Sequence, residues 1–597
     1  MARFSCRMCL VVLVALATAS CAHQPSFVGY ASTPDILTFH RDAGRTGWDA
    51  SEVALTPERV ASGAFGRLWA SPELDSSDGV PPRLYASPLY VDRVPIAYGK
   101  NASRPFSVVI AATSTGFVYA VNAFATTDVA AGTILWRKQL GAPCKDGFDG
   151  VTMGVLSTPV IDSKRKRLYV ANCEEEYLWR VYALDLTSGN VVPGWPVEIN
   201  RPALVAKNTN IAEAGVAVGA TTDSKRANQV LRAQRGALNL SPDGALLYVT
   251  FGESSPGWLA SLDTHTAKLL FSFSTTASML TPVGGIWGSA GAAIDDRGNV
   301  FVGTGAAFNG LVVEPHNWAQ SVLEFASDAS GLTLRGTYTP FNYCGATNAD
   351  VDLGSGGVTL LPPFDSSSTS TPYLLAIGGK QGNVYLLDRA RLPGRLDQRP
   401  PCDVGPSSDG SLLAPEVQPQ FGKPGPLNVF GPYTETVAAI NHARSRSVPA
   451  YFRDSGGRHY LFVTGATRRE VGSTVAVPPG LVRLRVFTEP GKPAYLRIDQ
   501  PEMTVTLENP GSPVVTSNGS KDAIVWVLDE NALRMARLIG PNAAHPMLYA
   551  FDALTLKLLW RSAAGELETS GKYNEPAIAR GTVFVGTDRV VAYGVRH

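Results

Sequence analysis

Apolar residues occur in short runs separated by Gly, Ser and Thr along most of the chain, and residues 107–141 show the pattern clearly. This stretch holds three apolar runs, at 108–112, 117–122 and 134–140, and a tight polar turn joins the first two. Short runs of β-branched and aromatic residues between such turns are typical of strands rather than helices. The pattern predicts an antiparallel meander, which would leave an unprotected edge if it stood alone.

The meander recurs along the chain. A small-residue start followed by a strand appears eight times, at residues 87–91, 157–161, 236–238, 291–294, 357–360, 448–451, 512–515 and 575–578. A third strand follows in every copy, and most copies continue into a fourth strand that often carries Trp. Repeated units of this kind predict an all-β fold, an eight-bladed β-propeller with four-stranded antiparallel blades. A seven- or nine-bladed ring and an open solenoid are the alternatives.

The two ends of the repeat region each hold part of a blade. The last copy stops at its third strand, residues 590–595. Residues 66–70, which no other strand precedes, carry the same Leu-Trp pair as the fourth strand at 134–140. We therefore expect the N-terminal strand to be the outer strand of the last blade. Such a closed propeller would occupy residues 61–597 and leave only short edges.

Residues 1–20 are predicted to be an export signal. Two arginines precede an apolar run that is too short to span a bilayer, and small residues then lead to Cys21. The segment resembles a bacterial lipoprotein signal, in which Cys21 is lipidated and becomes the mature N-terminus, although Thr18 stands where Leu is usual. Ordinary cleavage after Ala19 or Ala22 is the alternative. We expect an exported protein on the periplasmic side of the envelope, lipid-anchored to the outer membrane.

Two segments of the chain lack the repeat. The net charge of the chain limits the classes of partner that we expect. Residues 22–60 are interpreted as a tether and an N-terminal wrap. Residues 390–446 are rich in Pro and Gly, and we expect a long insert over one face rather than a second domain, because no helical period appears. The net charge of +1 and the lack of a basic stripe argue against nucleic acid as a partner. We expect the protein to contact the membrane only through the lipid on Cys21.

Four cysteines lie beyond the export signal and Cys21. An even number in an exported chain permits two disulfides. Proximity in sequence favours Cys144–Cys173 and Cys344–Cys402, although three pairings are possible. No CxxC or CxxCH motif occurs in this part of the sequence, so the cysteine pattern predicts neither a zinc site nor a c-type haem.

Several segments carry a family resemblance. Residues 120–136, 183–195 and 550–560 each combine a strand that ends in Asn or Asp, a turn and a Trp. This order resembles the tryptophan-docking repeat of pyrroloquinoline-quinone (PQQ) propellers, in which the Trp packs against the neighbouring blade. Residues 284–305 and 379–389 are similar to internal segments of quinoprotein alcohol dehydrogenases. From about residue 60 to the end, the chain thus resembles the PQQ-like, quinoprotein alcohol dehydrogenase-like β-propeller family.

The resemblance implies roles for individual residues. Trp287 matches the tryptophan on which the quinone stacks, and Lys380 matches the basic residue that contacts the quinone oxygens. Asp350 or Asp352 lies where the family places the aspartate that takes the alcohol proton. Glu174 lies where the family keeps an acidic calcium ligand. Core packing of Trp287 and a turn position for Lys380 are the structural alternatives to these roles.

The sequence also departs from the family. The family's asparagine metal ligand follows Gly-Thr-Gly, and here Ala306 occupies that position, whose side chain offers no oxygen to calcium. Asn309 could replace it only in a reshaped loop. We therefore expect a binding or scaffold module at the bacterial envelope without its own catalysis, with no cofactor and with a protein or small-molecule ligand at one face. The alternative, which leaves the question of an enzyme open, is a periplasmic dehydrogenase that uses PQQ and Ca²⁺ to oxidise an alcohol or sugar.

Overall fold

The computed structural model describes most of the 597-residue chain. The described residues are 35–99, 101–145, 152–174, 177–210, 231–252, 256–276, 284–307, 316–328, 330–340, 343–348, 350–380, 382–400, 427–430, 445–465, 480–530, 545–568, 571 and 573–596. The predicted export signal, Cys21, Asn309 and Cys402 lie outside them.

Each predicted small-residue start leads into the first strand of a separate sheet, so the eight-bladed propeller is confirmed. In order from first to fourth strand, blade 1 comprises Leu89–Tyr98, Asn101–Ala112, Phe117–Asn122 and Ile134–Gln139; blade 2, Val160–Asp162, Arg167–Glu174, Leu178–Asp185 and Val197–Ile199; blade 3, Asn239–Leu240, Leu246–Phe251, Trp258–Asp263 and Lys268–Ser274; and blade 4, Ala293–Ile294, Val300–Gly303, Val322–Asp328 and Gly331–Tyr338.

The second half of the ring follows the same plan. Blade 5 comprises Gly357–Leu360, Leu374–Gly378, Val384–Asp388 and Asn428–Phe430; blade 6, Ala450–Arg453, His459–Thr464, Leu481–Phe487 and Tyr495–Pro501; blade 7, Val514–Asn518, Lys521–Asp529, Met547–Asp552 and Leu558–Arg561; and blade 8, Ala577–Ala579, Thr582–Gly586, Val590–Val595 and Phe65–Ala70. First strands contact one another between blades 2 and 3, 3 and 4, 4 and 5, 6 and 7, and 8 and 1, so they surround a common axis.

The N-terminal strand closes the ring as predicted. Phe65–Ala70 pairs antiparallel with Val590–Val595, with Phe65 opposite Val595 and Ala70 opposite Val591. The edge of the third strand of blade 8 is thereby covered by the other end of the chain. Asn428–Phe430, which the sequence placed inside the Pro/Gly-rich insert, is the fourth strand of blade 5; three residues in such a stretch are too few to show a strand period.

Tryptophans on the fourth strands join neighbouring blades. Trp136 of blade 1 donates its indole N–H to the carbonyl of Leu186 in blade 2, at 3.1 Å. A Cβ on Gly189, in the turn before the fourth strand of blade 2, would lie 2.7 Å from Cε3 of Trp136. Trp69 of blade 8 makes the corresponding close approach to Gly132 of blade 1. A bulky ring on one blade and a bare backbone on the next bring the blades into contact.

Residues 36–52 form a belt around one mouth of the central channel. The belt exchanges hydrogen bonds with each blade in turn: Ile36 with Tyr90 of blade 1, Leu37 with Ile161 of blade 2, Thr38 with Leu238 at blade 3, Ala43 with Ile294 of blade 4, Gly44 with Leu360 of blade 5, Thr46 with Tyr451 of blade 6, Gly47 with Val515 of blade 7, and Glu52 with Gly581 of blade 8. Within it, Trp48–Asp49 adds a parallel strand to blade 7. One segment therefore contacts the whole ring.

The belt also sends side chains into the axis. Phe39 packs with Ala237, Ala290 and Val448, which precede the first strands of blades 3, 4 and 6. His40 is fully buried, and its Nδ1 lies 2.7 Å from the carboxylate of Glu575 at blade 8. Because these partners come from blades on different sides of the ring, Phe39 and His40 lie near the axis of the ring.

A disulfide and a few short helices complete the described structure. The structure contains the Cys144–Cys173 bond, which ties the segment after blade 1 to the second strand of blade 2. Cys344 is also disulfide-bonded, and its predicted partner Cys402 is not among the described residues. The helices are α1, Pro57–Ala61; α2, Arg201–Ala206; α3, Tyr343–Asn348; and the 3₁₀ turn Leu353–Ser355. Within the described ranges, no helix is both long enough and apolar enough to cross a bilayer.

Candidate functional site

Four of the residues predicted from the resemblance lie at one mouth of the channel, which we call the upper mouth. Trp287 precedes the first strand of blade 4, and Asp350 and Asp352 precede the first strand of blade 5. Lys380 lies in the turn between the second and third strands of blade 5. In an antiparallel meander, the connections between blades and the turns from second to third strand share one face. The topology therefore places all four residues on the same face.

Lys380 is the centre of this group. Its ammonium nitrogen lies 2.5 Å from Oδ2 of Asp352 and 3.3 Å from Oδ1 of Asp350. It also lies 5.2 Å from the centre of the Trp287 ring, in the position of a cation–π contact. The side chains of Lys380 and Asp352 are about as buried as core residues, whereas Asp350 is more open, at 39% exposure. Lys380 is thus a buried cation held mainly by Asp352.

The second oxygen of Asp352 is occupied as well. Its Oδ1 accepts a hydrogen bond from the backbone N–H of Ala306, at 2.5 Å. Gly305 permits this approach, because a Cβ there would lie 2.5 Å from Oδ1 of Asp352 and 2.8 Å from Nε1 of Trp287. The glycine that precedes Ala306 therefore lets the tryptophan and the aspartate come together.

The cluster continues across the mouth through residues that the sequence analysis missed. The ring of Tyr573, beside blade 8, lies 6.1 Å from that of Trp287. The guanidinium of Arg235 lies 5.7 Å from the Tyr573 ring and 5.9 Å from the ring of Tyr85. Each of these three missed residues lies one or two positions before a small-residue start, and that shared position was a signal available in the sequence.

Glu174 is not brought to this cluster. It ends the second strand of blade 2, and its carboxylate is bound by the guanidinium of Arg180 and the hydroxyl of Tyr182. The same hydroxyl oxygen lies 2.7 Å from the carbonyl oxygen of Leu140 in blade 1. Burial, and then the charge of Glu174, raise the pKa of the Tyr182 hydroxyl, which keeps it protonated as a donor. Glu174 therefore contributes to the contact between blades 1 and 2.

The described residues of the upper mouth do not fit a calcium ion. Calcium is bound by six to eight oxygen atoms. Beside Asp352, the ammonium of Lys380 and the N–H of Ala306 take the positions where a cation and an oxygen ligand would be needed. The carboxylate of Glu174 is engaged elsewhere, and Asn309 is outside the described residues.

The fit to a quinone is incomplete in a different way. Trp287 is 6% exposed, with Lys380 and Tyr573 against its ring. A planar cofactor would have to displace part of this cover before it could stack on the indole. The cations Lys380 and Arg235 would suit the carboxylates of such a cofactor. The arrangement can therefore attract a flat anion, but it does not present an open cradle for one.

Comparisons with known proteins bear on the fold. No family model matches the sequence, and no curated protein matches it. Among solved structures, the chain is similar to the quinohemoprotein alcohol dehydrogenase ADHIIG from Pseudomonas putida HK5, at 13% identity over 96% of this chain and 81% of that one, with a TM-score of 0.53. It is also similar to a europium-containing methanol dehydrogenase, at 13% identity over 93% and 91%, with a TM-score of 0.52. Together with the eight closed blades, these similarities show that the chain has an eight-bladed β-propeller fold similar to that of these two dehydrogenases, as the resemblance predicted.

Proposed function

We propose that the protein is a binding or scaffold module of the bacterial envelope, without catalysis of its own. One observation carries the proposal: the Lys380 ammonium lies between the two carboxylates of Asp350 and Asp352. A carboxylate that takes a proton from an alcohol must be free to approach the substrate. Here the more buried carboxylate already binds an ammonium and a backbone N–H.

The upper mouth supports a binding role. Tyr573, whose ring is partly exposed, contacts the buried ring of Trp287 and the buried guanidinium of Arg235, so aromatic and positively charged groups lie together at this mouth. Aromatic side chains and arginine are the residues that most often dominate binding energy at interfaces. A protein or a small molecule that presents an anionic group at this face is therefore the ligand that we propose.

A second candidate is a PQQ- and calcium-dependent dehydrogenase. The observation that favours it is the meeting of Trp287, Lys380 and Asp352, which match three family positions and lie within one cluster. When bound, a quinone would supply the two-electron oxidation of an alcohol or sugar. In this chain Lys380 would contact the cofactor, and Asp352 or Asp350 would hold the proton removed from the substrate.

Cofactor binding distinguishes the two candidates. Purified protein is titrated with PQQ in the presence of millimolar Ca²⁺, and quenching of tryptophan fluorescence and alcohol- or sugar-dependent dye reduction are measured. The proposal expects neither tight binding nor turnover by the wild type. Turnover by the wild type, or tight binding that Trp287→Phe abolishes, would overturn the proposal in favour of the dehydrogenase.

A gain-of-ligand variant tests why the wild type should be inactive. Ala306→Asn restores a side-chain oxygen next to Asp352, and Ala307→Asn adds the same group one position along as a matched control. If the missing oxygen is the reason, Ala306→Asn should increase calcium-dependent PQQ binding and the control should not. Equal behaviour of the two variants would contradict the role given to Ala306.

The envelope location rests on Cys21 and has its own test. We propose that the protein is exported and anchored by a lipid on this residue, with the propeller on the periplasmic side of the outer membrane. Cell fractionation with metabolic labelling by a radioactive fatty acid compares the wild type with Cys21→Ala. Loss of label and release into the soluble fraction are expected for the variant. Unchanged partitioning and absence of label in the wild type would exclude the lipid anchor.

A further inference from the structure

The seam between blades 7 and 8 is built differently from the seams around blade 1. At those seams, a glycine in the turn between the third and fourth strands packs on the Trp of the preceding blade: Gly132 on Trp69, and Gly189 on Trp136. In blade 8, the third and fourth strands come from opposite ends of the chain, so no turn joins them. Ring closure therefore removes the element that would pack on the Trp of blade 7.

Trp560 is the tryptophan on the fourth strand of blade 7. Its ring packs edge-to-face on Phe65 with centroids 4.9 Å apart, and it lies 5.2 Å from the ring of Tyr593. Phe65 and Tyr593 are buried, whereas Trp560 stays partly exposed. Beside it lies a cavity of about 430 Å³, which we call the seam cavity. That volume is within the range of pockets that hold small molecules.

Three arginines line the seam cavity: Arg67 on the N-terminal strand, Arg561 next to Trp560, and Arg596 near the C-terminus. Arg596 donates to the carbonyls of Gly63 and Ala64, both at 3.3 Å. None of the three arginines forms an ion pair with any described residue. The three arginines are exposed, and no carboxylate among the described residues forms an ion pair with them, so they give this small space a positive charge.

The repeat supplies an internal comparison for this charge. Arg137 follows Trp136 in blade 1 as Arg561 follows Trp560 in blade 7. Arg137 is paired with the carboxylate of Asp75, with a nitrogen–oxygen distance of 2.6 Å. Arg561 has no such partner in the described part of the chain. Among the described residues, the arginine at this position is therefore paired with an acid in blade 1 and not in blade 7.

Glu566 is the one acidic residue among the described residues that line the seam cavity, and it does not neutralise the charge of the three arginines. The carboxylate of Glu566 accepts a hydrogen bond from the backbone N–H of Ala563, at 3.1 Å, and pairs with none of the three arginines. Among the described lining residues, three arginines and one glutamate give a formal charge of +2, while the whole chain carries only +1. The charge of the seam cavity is therefore a local feature and not a consequence of an overall basic protein.

We propose that the seam cavity binds a small organic anion, in which a carboxylate or phosphate group is joined to a flat apolar body. Guanidinium groups recognise carboxylate and phosphate through paired N–H donors. The exposed part of Trp560 offers a surface on which a flat apolar group can pack. An anion without an apolar part would use the arginines alone, and a neutral molecule would use the ring alone.

Four probes test both halves of this chemistry by titration calorimetry at low ionic strength on the folded protein. They are 1-naphthyl phosphate, 1-naphthoate, the neutral 1-naphthylmethanol, and inorganic phosphate. At least one of the two naphthyl anions should bind, with an affinity about tenfold or more above those of naphthylmethanol and inorganic phosphate. The preferred anion tells a phosphate ligand from a carboxylate ligand. Binding of naphthylmethanol as tight as that of the anions, or no binding of either anion, overturns the proposal.

Matched variants locate the binding. Arg561→Gln should weaken the binding of the naphthyl anion about tenfold, because it removes a charged hydrogen-bond donor. Arg137→Gln should leave this affinity unchanged. Arg67→Gln is a second variant of the seam cavity, and thermal melting checks that each variant is folded. If Arg561→Gln and Arg137→Gln reduce the affinity equally, the assignment to the seam cavity is overturned. It is also overturned if neither Arg561→Gln nor Arg67→Gln reduces the affinity.

Discussion

The ammonium of Lys380 and the carboxylate of Asp352 form an ion pair at 2.5 Å in which the two side chains are only 5% and 6% exposed. Lys380 comes from a turn within blade 5, and Asp352 from the connection that enters the same blade. The backbone strengthens the link, because the N–H of Lys380 donates to the carbonyl of Asp352 at 2.9 Å. Each charge is removed from water and depends on the other for compensation.

Removing one member of this pair should be costly. Lys380→Met would leave Asp352 as a buried carboxylate without its cation, and we expect a loss of about 3–5 kcal/mol in the free energy of unfolding. The double variant Lys380→Met/Asp352→Leu should recover a large part of that loss, because no buried charge remains. Urea denaturation of the single and double variants measures the coupling.

The exposed pair of Lys492 and Glu489 provides the control for this prediction. Its nitrogen–oxygen distance is 2.6 Å, but its side chains are 58% and 45% exposed. Lys492→Met should therefore change stability far less than Lys380→Met. Similar effects of the two lysine substitutions, or a double variant at the upper mouth that is no better than Lys380→Met, would contradict a buried pair.

The belt allows a test that separates steric contact from backbone conformation. Gly47 has φ of +65°, and a Cβ there would lie 2.4 Å from Nε2 of His40 in the channel. Gly63 has φ of +76° with no atom within 4 Å of its Cβ position. Gly63→Ala should cost about 1–2 kcal/mol for the left-handed backbone alone. Gly47→Ala should cost this and about 1–3 kcal/mol more for the steric clash, measured by denaturant unfolding.

The repeated strands could be predicted from the sequence because their signals are local. Each blade begins with small residues, and each strand shows its own apolar run, so the number of blades and the closure by residues 66–70 followed from counting. The path of the belt could not be found in this way. Phe39 and His40 contact residues that are hundreds of positions away in the chain, such as Glu575, and nothing near them in sequence shows those partners.

The candidate site was partly predictable for the same reason. Trp287, Lys380 and Asp352 were identified because they match positions of the quinoprotein alcohol dehydrogenases, and that resemblance rests on residues that are close together in the sequence. Tyr573 and Arg235 were missed, because their contacts with the cluster and with each other depend on the ring that brings blades 8, 4 and 3 to one mouth. Glu174 shows the limit of such a prediction. Its carboxylate binds Arg180 and Tyr182 instead of joining the cluster at the upper mouth, and the sequence alone does not show which of these contacts an acid makes.

His459 should make stability depend on pH. Burial, and then the charge of Arg453, lower the pKa of His459 from 6.5 to about 4. Its Nδ1 lies 2.6 Å from the hydroxyl of Tyr451, and protonation of Nδ1 would remove the acceptor of that bond. Between pH 6.5 and 4 the unfolded chain binds this proton and the folded protein does not, so stability falls as the pH falls through this window. The loss should reach about 3 kcal/mol at most and then level off.

A comparison of variants isolates this contribution from that of the acids that titrate nearby. His459→Gln keeps a hydrogen-bonding group beside Tyr451 and removes the titration, so its stability should fall less steeply between pH 6.5 and 4 than that of the wild type. His265→Gln changes an exposed histidine and should leave the wild-type slope. Urea denaturation at several pH values measures the slopes, and parallel curves for wild type and His459→Gln would contradict the prediction.

The Cys144–Cys173 disulfide should stabilise the contact between blades 1 and 2. The bond closes a loop with a sequence separation of 29 residues, for which the loss of chain entropy in the unfolded state predicts about 3–4 kcal/mol. The double variant Cys144→Ala/Cys173→Ala should lose about this amount in urea denaturation without a reductant. Because Cys344 is also disulfide-bonded, a reductant should destabilise this variant further, but less than it destabilises the wild type. Equal stability of variant and wild type before reduction would show that packing alone, and not the covalent link, holds the two blades together.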